Sequence, residues 1–347
     1  MLYPHISIVL DMAGCPNRCK HCWIGHSPNG HLTEDDLRYA AAQFRPYAKK
    51  LTVYDWTREP DYTDDYRQRW ALCNELSDGQ RDHFELISTW RMARDPDYAP
   101  WVASLGIKIA QLTLFGGREK TDYYTGRRGA YDDILHAMDT LLANGMAPRL
   151  QIFVNKDNVD ELPLIDQLID DMELPRRCAE IGQEFACFMH QGSCDGENEK
   201  LYPIRVTPDD LAKLPPRLVA MSLRHWQAEN LVQVFGLMEA DLVAHLSSST
   251  ETENLADSDP VLYIDKDFNA YPNFGAMEPS WCLGNLKTDG AAAILRSFSE
   301  NLTPAQHTRL TVPVGTMVKA LGDPHSQRLF ARDDYIQYIL NRYCRKK

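Results

Sequence analysis

Six times in succession the chain passes from a short β-rich run to an amphipathic helical stretch, and the architecture that suits such a rhythm is a parallel sheet covered by helices. The runs are 6–10, 51–54, 84–89, 109–115, 150–154 and 185–189. Thr33 with Asp36 three residues on forms a capping-box pair, after which Leu37, Ala40, Ala41 and Phe44 keep the helical period. Trp70, Cys73 and Leu76 share a face of the second helix. Later stripes are Ile134, Leu135, Met138, Leu141 and Leu142, closed by Gly145 where a left-handed cap belongs, and Leu162, Ile165, Leu168, Ile169 and Met172. The expected fold class is α/β.

Past the sixth run the alternation fades. Thr207-Pro208-Asp209-Asp210 opens a helix with a good N-cap and a proline at its first position, and the domain boundary is placed there, dividing 1–206 from 207–347. The polar stretch 247–259 reads as a surface loop, and 261–264 and 271–274 flank Asp265 to Asn269 as a hairpin of a smaller α+β extension.

The 37 basic residues against 49 acidic ones leave a net charge of -12 and form no long run, which argues against nucleic-acid or membrane partners. The first apolar run, Ile6 to Leu10, is too short for a secretion signal or a membrane span, so a cytoplasmic protein is expected. Without an export signal, nine cysteines speak for metal or redox use over a disulfide framework.

Cys15-Pro16-Asn17-Arg18-Cys19-Lys20-His21-Cys22 puts three thiolates on the loop after the first strand. A 4Fe-4S cluster is usually held by one cysteine per iron, so three ligands leave one iron open to a non-protein group. The rival is a non-catalytic zinc or iron-sulfur protein, and structural zinc would need a fourth ligand from His21 or from a distant residue. Of the other cysteines, Cys187 and Cys282 are candidates to return a hydrogen atom to a substrate radical, against the usual fate of core packing.

This C-x3-C-x2-C loop, with the strand/helix alternation around it, resembles the radical SAM superfamily. The resemblance implies a partial (β/α)6 TIM-like barrel, a 4Fe-4S cluster on Cys15, Cys19 and Cys22, S-adenosylmethionine, and an electron donor such as flavodoxin or ferredoxin. His21 stands where the family has an aromatic residue beside the cofactor, with Trp23 two residues on. Thr57-Arg58-Glu59-Pro60 keeps the Glu-Pro of the family's Gly-Gly-Glu-Pro, so Glu59 is expected on the cofactor's ammonium. Thr113, Asn155 and one of Arg127 or Arg128 are expected on its ribose or carboxylate, where an arginine fork suits two parallel hydrogen bonds.

Residues 262–273 and 283–286 resemble a SPASM or twitch extension, yet Asn273 follows Tyr271-Pro272 where a cluster cysteine would stand, and Cys282 is the only cysteine nearby. The resemblance therefore implies a scaffold without a full auxiliary cluster and a redox-neutral outcome. The expected reaction is reductive cleavage of S-adenosylmethionine to a 5′-deoxyadenosyl radical that takes hydrogen from a small molecule, a sugar, nucleoside or amino-acid derivative of natural-product biosynthesis. A peptide or protein substrate is the alternative. Asp55, Trp90 and His190, each just beyond an expected strand, are the substrate-contact candidates.

Overall fold

The computed structural model describes residues 2–11, 14–25, 32–55, 58–79, 83 and 85–346. Five strands carry its parallel part: β1 (Tyr3–Leu10), β2 (Ala48–Tyr54), β3 (Ile109–Leu114), β4 (Ala147–Phe153) and β5 (Ala186–His190). β1 pairs with β2, and β4 lies between β3 and β5, all in parallel. The helices between them are α1 (Glu34–Phe44), α2 (Tyr66–Leu76), α3 (Thr89–Met92), α4 (Tyr98–Ser104), α5 (Arg118–Thr125), α6 (Ala130–Ala143), α7 (Leu162–Asp171) and α8 (Leu174–Glu180).

The local signals explain most of these boundaries. At the start of α1 the backbone N–H of Asp36 donates to Thr33 Oγ1 (3.2 Å) while that of Thr33 donates to Asp36 Oδ2 (2.9 Å), which completes the capping box. Leu37, Ala40, Ala41 and Phe44 then face the core, and the α6 stripe of Ile134, Met138, Leu141 and Leu142 is buried in the same way. Gly145 has φ 73°, which a glycine adopts without steric cost.

The third expected strand is not a strand. Phe84 lies outside the described residues, and of the remainder only Leu86 pairs, by a single parallel bridge to Gln111. Ser88 explains the departure: its backbone N–H donates to the Tyr98 hydroxyl (3.1 Å), and its Oγ accepts from Arg91 N (3.1 Å) as the N-cap of α3. Those bonds take the chain out of the sheet before a ladder can form.

Residues beyond 206 form α9 (Pro208–Leu211), α10 (Pro216–Trp226), α11 (Leu231–Phe235), β6 (Leu237–Met238), α12 (Glu239–Leu246), β7 (Val261–Ile264), β8 (Asn269–Pro272), β9 (Gly284–Asn285), α13 (Gly290–Ser299), α14 (Pro304–Thr311), α15 (Val314–Leu321), β10 (Leu329–Phe330) and α16 (Arg332–Arg345). The expected hairpin is present as β7 and β8. Its second strand starts two residues early because Asp265 Oδ1 accepts from the backbone of Asp267 and Asn269 (2.9 Å each) and tightens the turn.

These later elements cover both edges of the parallel strands. β7 runs parallel to β1, from Ser7 opposite Val261 to Leu10 opposite Ile264, giving the order β2-β1-β7-β8-β9. At the far edge α10 does for β5 what another strand would do: Met189 N donates to Ser222 Oγ (3.1 Å) and Met189 O accepts from Trp226 Nε1 (3.1 Å). Among the described residues no helix is long and apolar enough to cross a membrane.

Candidate active site

The cysteine loop leaves β1 and is pinned by three other segments. Its backbone supplies donors to the last carbonyls of α5, from Arg18 N to Thr125 O (2.9 Å) and from Lys20 N to Tyr124 O (2.8 Å), which the helix itself leaves unpaired. Glu197 N donates to Cys22 O (2.8 Å). From a third side Arg58 forms a buried ion pair with Asp11 at the end of β1 (3.0 Å) and donates to Gly25 O.

Held this way, the three thiols are costly to ionise. Burial pushes Cys15 up to about 12, with the Glu59 carboxyl adding to it. Cys19 is driven well above its ordinary value by burial and by both other thiols, whereas Arg58 opposes the rise at Cys22. Bound metal charge is what offsets a buried thiolate. Among the described residues no three His, Cys, Asp or Glu side chains are drawn together as a single ion would require. Cys15 and Cys22 both bear electrostatically on Cys19, and a cubane, which takes one thiolate per iron, would be held by such a three-thiol set.

Beside the loop, at the C-terminal ends of the strands, lies a cavity of about 460 Å³ whose wall includes Cys19, His21, Trp23, Glu59, Thr113 and His190. The His21 ring packs against Phe115 and Phe153 (centroids 4.8 and 4.9 Å), and its Nδ1 is buried without a partner. Burial, with His190 nearby, lowers His21 to about 3, so the ring is neutral. Trp23, 40% exposed, faces Tyr263 of β7 at 5.6 Å.

Glu59 accepts from Ser88 Oγ (2.9 Å) and Asn17 Nδ2 (3.3 Å), and burial raises its carboxyl to about 7. Behind it Arg127 donates to Asn17 Oδ1 (2.7 Å), pairs with Asp133 (2.5 Å) and keeps a buried Nη2 with no partner. Arg128 is exposed instead. Asn155 also stands behind the wall; its Oδ1 accepts from Asp157 N (2.8 Å) and Tyr124 (3.3 Å), and its Nδ2 is unpartnered. Of this carboxyl and these spare donors only the Glu59 carboxyl lines the cavity, where it could accept from an ammonium; the spare Arg127 and Asn155 donors lie behind the wall.

Of the cavity floor, Thr113 and His190 were among the expected site residues, and Gln111 and Gln151 were not. Strand alternation turns Gln111, Thr113, Arg149, Gln151 and His190 to the face away from the helix-covered core. Arg149 Nη2 donates to Gln111 Oε1 (2.9 Å), Gln111 Nε2 to Gln151 Oε1 (2.5 Å) and Thr113 Oγ1 to the same oxygen (3.2 Å), while Gln151 touches the His190 ring. His190 is lowered to about 4 by burial and by Arg205. The available signal was polar residues at every second position of β3 and β4, where strands buried on both faces read as unbroken apolar runs. Asn158 was missed too: its Nδ2 donates to Phe115 O (2.7 Å) and Phe153 O (2.6 Å), tying the ends of β3 and β4.

Like Arg127, Arg128 and Asn155, the candidates Asp55, Trp90, Cys187 and Cys282 lie off the wall. Asp55 follows β2 outside the lining, and Trp90 packs on Tyr62 (5.1 Å) with Arg94 over its ring (4.9 Å). Cys187 is three residues from His190 on the same strand, hence on the opposite face, buried in the core with its thiol raised to about 12. Cys282 is half-buried in the extension, its Sγ 3.8 Å from Gly284 O.

Residues 9–168 match the family model described as the radical SAM superfamily. Fe-coproporphyrin III synthase of Methanosarcina barkeri (strain Fusaro / DSM 804) is 30% identical over 167 residues, 47% of this chain and 40% of that protein. The chain thus spans less than half the length of this curated relative. Among solved structures, native anSMEcpe with bound AdoMet superposes with a TM-score of 0.54 at 11% identity, covering 99% of this chain and 100% of the other. The complex of anSMEcpe with AdoMet and the Kp18Cys peptide gives the same TM-score, 0.54, identity, 11%, and coverage, 99% and 100%. These two likenesses show a shared fold.

Proposed function

From a chain that carries a radical SAM domain over residues 9–168, in a superfamily that uses a 4Fe-4S cluster and S-adenosylmethionine, we infer an enzyme whose cavity beside Cys15, Cys19 and Cys22 binds the cofactor and a small-molecule substrate. When bound, the pair supplies reductive cleavage of the sulfonium to a 5′-deoxyadenosyl radical that removes a substrate hydrogen atom. The protein's part is to hold and shield. Glu59, oriented by Ser88 and Asn17, receives the ammonium, and Arg127 fixes Asn17 from behind the wall. His21 and Trp23 flank the cofactor with flat surface, and His190, Gln151 and Gln111 meet the substrate with neutral hydrogen-bonding groups.

One observation carries this reading: one partly open cavity joins the cysteine loop, the Glu59 carboxyl and the polar strand face. Its volume of about 460 Å³ is that of a small-ligand site. Asn273, standing where an auxiliary cluster would need a cysteine, favours a redox-neutral outcome. A peptide substrate is the second reading, supported by the likeness to anSMEcpe in its peptide complex.

The test is anaerobic reconstitution with iron and sulfide, then reduction in the presence of S-adenosylmethionine. 5′-Deoxyadenosine is expected, and the Cys15→Ala, Cys19→Ala and Cys22→Ala variants should not form it. Stoichiometric zinc with neither iron nor sulfide would sink the reading.

A further inference from the structure

We propose that Arg18, Lys20, Tyr123 and Arg128 form the docking face for an acidic one-electron carrier protein. The proposal rests on the cluster reading above and adds where the electron enters. Arg18 and Lys20 bracket Cys19 in sequence, and their backbone N–H groups are fixed to Thr125 O and Tyr124 O. Arg18 thereby lies against Gly126, two residues from Arg128. The route from this surface to a cluster sulfur is one residue long.

The charges on this face divide into two sets. Arg118, Lys120 and Arg127 are neutralised by Asp132, Asp157 and Asp133. Among the described residues Arg18, Lys20 and Arg128 form no ion pair with a carboxylate, and Arg18 and Arg128 are exposed. Of the acids of α5 and beyond, Glu119 is exposed, Asp122 keeps its charge but is held on the backbone N–H groups of Gly129 and Tyr131 away from a cationic partner, and Glu197 is paired with Lys200. Lys20 Nζ sits 4.4 Å from the Tyr123 ring centre, and that ring, 57% exposed, gives the cationic face an apolar middle.

The chain as a whole carries a net charge of -12, so an acidic protein is repelled by most of its surface and drawn to this one. Such a field sets orientation and on-rate more than affinity. Three cations fall short of the six to ten phosphate contacts typical of nucleic-acid binders, and they suit the small, weak encounters of redox partners.

The experiment compares two reductants of the reconstituted protein, reduced acidic flavodoxin and photoreduced deazariboflavin, by the rate of 5′-deoxyadenosine formation. Raising ionic strength from about 0.02 to 0.3 M should slow the flavodoxin-driven rate on the order of tenfold and leave the other unchanged. The Arg18→Glu/Lys20→Glu double variant should reproduce that selective loss at low salt. A flavodoxin-driven rate indifferent to both salt and charge reversal overturns the docking face, as does binding of RNA or anionic vesicles there without any response to the carrier. If the variant loses its iron, the salt series on the unaltered protein decides. If wild-type protein makes no 5′-deoxyadenosine with either reductant, it is the cluster reading that has failed.

Discussion

Gly126 and Arg18 touch backbone to backbone: a β-carbon added at Gly126, whose φ is 68°, would lie 2.8 Å from the carbonyl carbon of Arg18 and closer still to its oxygen. The C-terminus of α5 can thus receive the cysteine loop only where a side chain is missing. Gly126→Ala should combine the cost of a left-handed alanine, about 1 kcal/mol, with displacement of the loop. Iron bound per chain after reconstitution is expected to fall well below the wild-type level. A variant that keeps full iron content would show that this contact does not position the thiols.

Arg58 is the second anchor, and its pairing with Asp11 is buried on both sides. Removing one member of a buried pair takes away part of what offsets the other charge, at a cost of about 3 kcal/mol. Arg58→Met should lower the denaturation midpoint accordingly, and the Asp11→Asn/Arg58→Met double variant should recover much of the loss. Equal loss in single and double variants would rule out the pair as the cause.

At the β5 edge the fully buried Ser222 accepts from Met189 N. Ser222→Ala leaves that N–H without a partner, which costs about 1–3 kcal/mol. Urea titration should show a lower midpoint at unchanged slope.

Asp195 accepts from Asn341 Nδ2 (2.7 Å), and burial beside Asp334 raises its carboxyl to about 7. Between the ordinary value of 3.8 and 7 the native state keeps a proton that the unfolded chain has released, so stability declines as pH rises through that window and levels off above it. Asp195→Asn removes this slope and can still accept from Asn341. At pH 8 it should be more stable than wild type by on the order of 2 kcal/mol, with little difference near pH 4. Parallel stability–pH profiles for the two proteins would contradict the assignment.

What could be read beforehand was what local chemistry dictates. The Thr33 capping box, the left-handed Gly145 and the placement of three cysteines after the first strand each depend on a few neighbouring residues. The lost third strand hinged on a bond from Ser88 to Tyr98, ten positions away, and no periodicity encodes that. The polar strand face was visible as Gln111, Thr113, Arg149 and Gln151, but its meaning needed the register that sets Thr113 opposite Gln151 and Gln151 opposite Phe188. Trp90 looked like a site residue by position after a run; Tyr62 and Arg94 claim its ring.

The partnership of Ser7 with Val261 bears on the order in which the molecule can be made. The strand that delivers the thiols to their loop is synthesised well before Val261, so one of its flanks must wait for a segment far downstream. Until then its unsatisfied amides are open to wrong neighbours, and parallel pairing across so long a stretch is slow to form. Truncation anywhere before Val261 therefore removes the neighbour that seats the strand ahead of the thiols.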